Sequence, residues 1–219
     1  MTKLQLPHRK VYHSPGSQYV AEIYPGSCEP KGDKAICYFY KTDQPEPTWK
    51  RGAQLIWKAE LVNRCMPATA VISVDGDLVT LNDYYRYGNN AVVIYDRNGK
   101  LVRSYNIGEL VPKEEMDSIS MLEIVGMGWF WNAEAEYYFL TDPARFCILL
   151  KWIFLKPHKK ITKEGYILSF EKLPIERVME FHLTDGKFRY GVPSDFPELH
   201  RVIGNPNGAR NMRVGRESL

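Results

Sequence analysis

The stretch from Ala68 to Leu110 constrains the fold most, because two tight-turn dipeptides cut it into strand-length pieces. Ala70-Val71-Ile72-Ser73-Val74 is rich in β-branched residues and runs into Asp75-Gly76. Such a dipeptide supplies the positive φ angles that a tight hairpin turn needs. Leu78-Val79-Thr80-Leu81 reads as the returning strand and Ala91-Val92-Val93-Ile94-Tyr95 as a third. Asp96-Arg97-Asn98-Gly99 is a second turn, with Asn98-Gly99 the stronger pair, and Leu101 to Tyr105 mixes apolar and polar positions as a half-solvated outer strand does. The segment therefore predicts a four-stranded antiparallel meander.

Weaker copies flank it. Lys10 to His13, the turn Ser14 to Ser17, Tyr19 to Tyr24, Ala35 to Tyr40 and Leu55 to Val62 form a first unit, with loops at 25–34 and 41–52. A third unit starts near Ile119 and includes Tyr137 to Leu140, Phe146 to Leu155 and Tyr166 to Phe170. The run from Ile148 to Phe154 is apolar on both faces apart from Lys151, as expected of a strand between two packed layers. One short helix is expected within Ile107 to Ser118, where Pro112 and the acids after it suit a helix N-terminus. The expected fold is all-β: four-stranded meanders of the β-propeller type, about three blade-like units, with a β-sandwich as the alternative. Closed propellers need about four blades or more, so three units imply an open stack, a hidden fourth sheet or completion by a second chain. Residues 1–203 are read as a single domain and 204–219 as a flexible basic tail.

Composition bounds the function classes. Of 219 residues, 44% are hydrophobic and 25% charged, enough for a packed core. The net charge is +3, and Arg201, Arg210, Arg213 and Arg216 against Glu217 account for all of it. A body of neutral balance does not favour a broad nucleic-acid face. No apolar run is long enough for a signal peptide or a membrane span, so a soluble, cytoplasmic chain without membrane contact is expected. On that ground the four cysteines, Cys28, Cys37, Cys65 and Cys147, are expected to be free thiols.

Some residues resemble a known family. They run from Ile56-Trp57-Lys58-Ala59-Glu60-Leu61-Val62-Asn63-Arg64 through Pro67, then Val74-Asp75-Gly76-Asp77-Leu78-Val79-Thr80, and end with Val92 to Val102. This half of the chain resembles an uncharacterised bacterial family with β-propeller-like blade repeats. Ser14-Pro15-Gly16-Ser17-Gln18-Tyr19-Val20 is similar to the Ser-Pro-Asp-Gly-Lys-Tyr-Val phrase of propeller blades, with Gly16 and Ser17 departing from it. The resemblance implies propeller-type sheets and carries no activity or site residue with it, since this fold hosts many functions.

The candidate site is the loop Asn82-Asp83-Tyr84-Tyr85-Arg86-Tyr87-Gly88-Asn89-Asn90. Asp83, Tyr84, Tyr85, Arg86 and Tyr87 combine aromatic faces with planar hydrogen-bonding groups, the chemistry of a polar-ligand or peptide site. The bland alternative is a structural loop in which Asp83 bonds to backbone. Asp75-Gly76-Asp77 has too few acids for calcium and reads as a turn. Gly126-Met127-Gly128 runs into Trp129-Phe130-Trp131, which reads as core, and Glu114-Glu115 reads as solvated. His8, His13, His158, His182 and His200 match no zinc pattern, and no catalytic, phosphate-loop or dinucleotide motif occurs. No metal, cofactor or catalytic residue is expected. The leading expectation is a non-enzymatic binding module for a protein or polar ligand, with homo-oligomerisation open. The alternatives are a hydrolase-type enzyme with Asp83 or a histidine as base, and a weak nucleic-acid binder using the tail and a basic turn at Lys156-Pro157-His158-Lys159-Lys160 with Lys163.

Overall fold

The computed structural model describes residues 7–29, 31–44, 48–84, 89–120, 135–162 and 165–204. Among the described residues, twelve strands form three four-stranded antiparallel sheets, each with its strands neighbouring in sequence order. Sheet 1 contains β1 (Lys10–His13), β2 (Tyr19–Tyr24), β3 (Ile36–Lys41) and β4 (Gln54–Glu60). Sheet 2 contains β5 (Pro67–Ile72), β6 (Leu78–Asp83), β7 (Val92–Tyr95) and β8 (Leu101–Tyr105). Sheet 3 contains β9 (Glu136–Thr141), β10 (Ala144–Thr162), β11 (Gly165–His182) and β12 (Phe188–Gly191). The protein is thus mostly β, as its alternating apolar runs require. No closed ring of sheets is formed among the described residues.

Side-chain alternation explains the layering. Odd-numbered β2 and β3 residues such as Ala21, Ile23, Cys37 and Phe39 meet Ala70, Ile72, Leu78, Val93 and Tyr95 of sheet 2 in one core. The opposite face of sheet 2, with Val71, Val79, Leu81, Val92 and Ile94, meets Phe146, Ile148, Leu150, Met179 and Phe181 of sheet 3 in a second. Sheet 2 is therefore buried on both faces, which accounts for its near-continuous apolar strands. The far face of sheet 3, through Cys147, Leu149 and Val178, is capped by Phe196 and by Leu199 of helix α3 (Pro197–Gly204).

Both predicted turns form. Gly76 has φ 92° and Gly99 φ 79°, and a Cβ on Gly99 would lie 2.6 Å from the Trp57 ring of sheet 1. Glycine at that turn is needed both for its backbone and for this close approach.

Four expectations need correction. The single helix is two, α1 (Ile107–Leu110) and α2 (Lys113–Ser120), because Pro112 interrupts the run and its carbonyl accepts from the amides of Glu115 and Met116. Glu115 is not simply solvated: Arg177 Nη2 donates to its Oε1 at 2.8 Å. Lys156 to Lys160 are not a turn but part of β10, whose ribbon with β11 continues to Thr162↔Gly165. Among the described residues, β9 stops pairing at Leu149 and β12 at Val178, so Pro157 and Pro174 fall on stretches with one described partner strand, where a missing N–H is tolerated. Finally, Cys28 and Cys65 form a disulfide, while Cys37 and Cys147 are free and buried, and burial pushes their thiols up. The bridge joins the β2–β3 loop to the link between sheets 1 and 2, segments that only the folded chain brings together. It overturns the free-thiol expectation for Cys28 and Cys65, which had been drawn from the expected compartment. Among the described residues, no helix is long and apolar enough to cross a membrane.

The expected tail lies outside the described residues beyond Gly204, as does the Gly126 to Trp131 cluster.

Candidate binding site

Of the residues expected at the 82–90 loop, Asp83 and Tyr84 are described, and Tyr85, Arg86 and Tyr87 lie outside the described residues. Asp83 ends β6 and is 8% exposed. Its Oδ1 accepts from Asn63 Nδ2 at 2.9 Å, and both carboxylate oxygens accept from Asn90 Nδ2 at 3.1 Å. Thr80 Oγ1 donates to Asn63 Oδ1 at 2.7 Å, and Ser104 Oγ donates to Asn90 Oδ1 at 3.0 Å. This chain of amides and hydroxyls ties the two ends of the loop to sheet 2 and to the β4–β5 link. Buried polar groups satisfied in this way fix a unique arrangement. Tyr84 is half-buried and packs against the core between sheets 1 and 2.

A cleft of about 630 Å³ opens between the turns of sheets 2 and 3, lined by Asp75, Asp77, Asp96, Arg97, Lys100 and Asp185. Burial, then the neighbouring Asp75 and Asp96, raise the Asp77 carboxyl above its ordinary value, and a hydrogen bond from Ser73 opposes them. Among the described residues, no group of three or more side chains is placed to hold a metal ion.

The third surface was not anticipated. The outer face of sheet 1, opposite the core, is ordered by strand register. Glu22, Tyr38 and Lys58 lie side by side across β2, β3 and β4. Tyr24, Ile36 and Glu60 form the next row, and Val20, Tyr40 and Leu55 the row on the other side. A bulge between Phe39 and Tyr40 leaves Ile56 as the extra β4 residue. Loop residue Trp49 covers one end, with its ring 5.2 Å from that of Tyr40 and 6.2 Å from that of His13.

Charge is concentrated at the centre of this face. Glu22 is 3% exposed and accepts from Arg9, from Lys50 Nζ at 3.1 Å and from Tyr24 Oη at 3.1 Å. Each cation also lies over an aromatic ring: Arg9 over Tyr24 at 6.0 Å, Lys50 over Trp49 at 5.4 Å and Lys58 over Tyr38 at 4.9 Å. Burial works to raise the Glu22 carboxyl, but the hydrogen bonds from Lys50, Tyr24 and Arg9 outweigh it and hold the group below its ordinary value. A depressed carboxyl contributes stability that is present above its unfolded pKa and is lost as pH falls through the folded one. Acid unfolding of Glu22→Gln is therefore expected to show a shallower loss of stability below about pH 4.5 than wild type. Superimposable acid limbs would remove Glu22 from that account.

Tyr38 and Tyr40 alternate with Cys37 and Phe39, a signal present in the sequence. Arg9 and Lys50 gave none, because Arg9 precedes β1 and Lys50 lies in the β3–β4 loop, outside any strand alternation. No protein-family model matches this chain, and no curated protein matches it.

Proposed function

We propose that this protein is a non-enzymatic binding module that receives its partner on the outer face of sheet 1, its three sheets being blade-like units of the β-propeller type in an open stack. One observation carries the reading: Tyr24, Tyr38, Tyr40 and Lys58 lie in register on the face of sheet 1 that points away from the core, and Arg9 and Lys50 reach onto it from outside the strands to meet Glu22. The other end of the stack is covered by α3. Tyrosine and arginine anchors beside exposed aliphatic groups are the chemistry of protein interfaces. Tyr24 is 38%, Leu55 49% and Ile56 40% exposed, so this face presents more large apolar surface than a solvated strand needs. The catalytic alternative is less well supported, because the Asp83 carboxylate is engaged by two structural amides. The Cys28–Cys65 disulfide is a feature of proteins in oxidising compartments.

Affinity capture with the purified chain tests the reading. The Tyr24→Ala, Tyr38→Ala double variant is expected to lose about tenfold or more of the affinity for a captured and repurified partner, the 1.4 kcal/mol scale of an interface anchor pair. Its circular dichroism should match wild type. Undiminished affinity would move the binding site elsewhere.

A further inference from the structure

We infer that the partner met by this face is an acidic peptide segment, carboxylates interspersed with aliphatic side chains; the inference rests on the binding-face reading above. Arg9 and Lys50 share one buried carboxylate, Glu22, so the centre of the face holds two cations for one acid. Lys58 adds a third cation two strands from Glu22 in the same row. The only other acid on these three rows is Glu60, in the neighbouring row. Arg9 and Lys50 side chains are 43% and 58% exposed, so both can meet an incoming anion without leaving Glu22. A carboxylate accepting from such cations forms charge-assisted bonds.

Two other occupants fit less well. Single-stranded nucleic acid stacks its bases on open aromatic platforms. Here Tyr24, Tyr38 and Trp49 each carry a cation over the ring. A second copy would set this cationic face against itself, and like charges brought together across an interface cost several kcal/mol. Leu55 and Ile56, exposed beside Tyr40 and Lys58, supply the apolar contact that a peptide's aliphatic residues would use.

The test uses the full chain, isotope-labelled, with three probes: a ten-residue peptide alternating glutamate and valine, the same peptide with lysine for glutamate, and a ten-nucleotide oligothymidylate. The glutamate peptide is expected to shift the amides of Glu22, Tyr38 and Lys58, to bind at least tenfold more tightly than the lysine peptide, and to weaken as salt rises. Lys58→Glu, at an exposed position, should weaken it about tenfold, and Lys58→Ala by less. Equal binding of the two peptides, or shifts confined to other parts of the chain, would overturn the inference. Oligothymidylate shifting these amides while the glutamate peptide does not would overturn the acidic-peptide assignment and leave the binding face standing. Silence of the three probes at this face would take down both.

Discussion

Replacing Arg145 by alanine is expected to destabilise the protein by about 3–5 kcal/mol, the range for removing one partner of a buried ion pair. Arg145 is 5% exposed and lies on the face of β10 that α3 covers. Its Nη1 donates to Glu180 Oε2 at 2.8 Å and to Glu198 Oε2 at 2.9 Å, which ties β11 and α3 to the same guanidinium. Glu180 is 1% exposed, and its other cation, Arg189, lies at 3.4 Å. Alanine would leave that carboxylate buried beside one distant partner. The cost is the desolvation of Glu180, not the worth of the bridge itself. Urea unfolding monitored by tryptophan fluorescence measures it. The double variant Arg145→Met, Glu180→Leu should recover most of the loss, because an apolar pair of similar volume needs no charge compensation. A single variant within about 1 kcal/mol of wild type would mean that water reaches Glu180 and that α3 is not a firm cap.

Reducing the Cys28–Cys65 bridge is expected to cost up to about 4 kcal/mol. The two cysteines are 37 residues apart in sequence. In the chain-entropy account, closing a loop of that length removes close to this much from the unfolded state. The bridge stands where sheet 1 hands over to sheet 2, and Gly26 N donates to the Cys65 carbonyl at 2.8 Å beside it. Its loss should act on the junction of the two sheets before their strands. Comparing urea midpoints with and without reductant, and in Cys28→Ser, Cys65→Ser, separates the bridge from the buried thiols of Cys37 and Cys147. A change under about 1 kcal/mol would show that the unfolded chain is already restrained there.

The strands and turns were legible because their determinants are local. Asp75-Gly76 and Asn98-Gly99 carry their own backbone preference, and the alternation in Ile36 to Tyr40 sets which side chains share a face. The same locality explains the helix that broke at Pro112. It also explains why β10 and β11 ran past their expected ends: ribbon pairing depends on a partner strand, which no single segment specifies. The 82–90 loop was conspicuous through its residue types, yet those types do not say whether Asp83 meets a ligand or, as found, Asn63 and Asn90.

By itself the sequence determined the turns at Asp75-Gly76 and Asn98-Gly99 and which residues alternate beside them, since φ preferences and the two-residue period of a strand act over a few neighbours. Only the tertiary structure decided that Cys28 meets Cys65, that α3 closes the sheet 3 end, and that Arg9 and Lys50 converge on Glu22. Those meetings join segments separated along the chain, and the contacts that make them exist only once the sheets have packed.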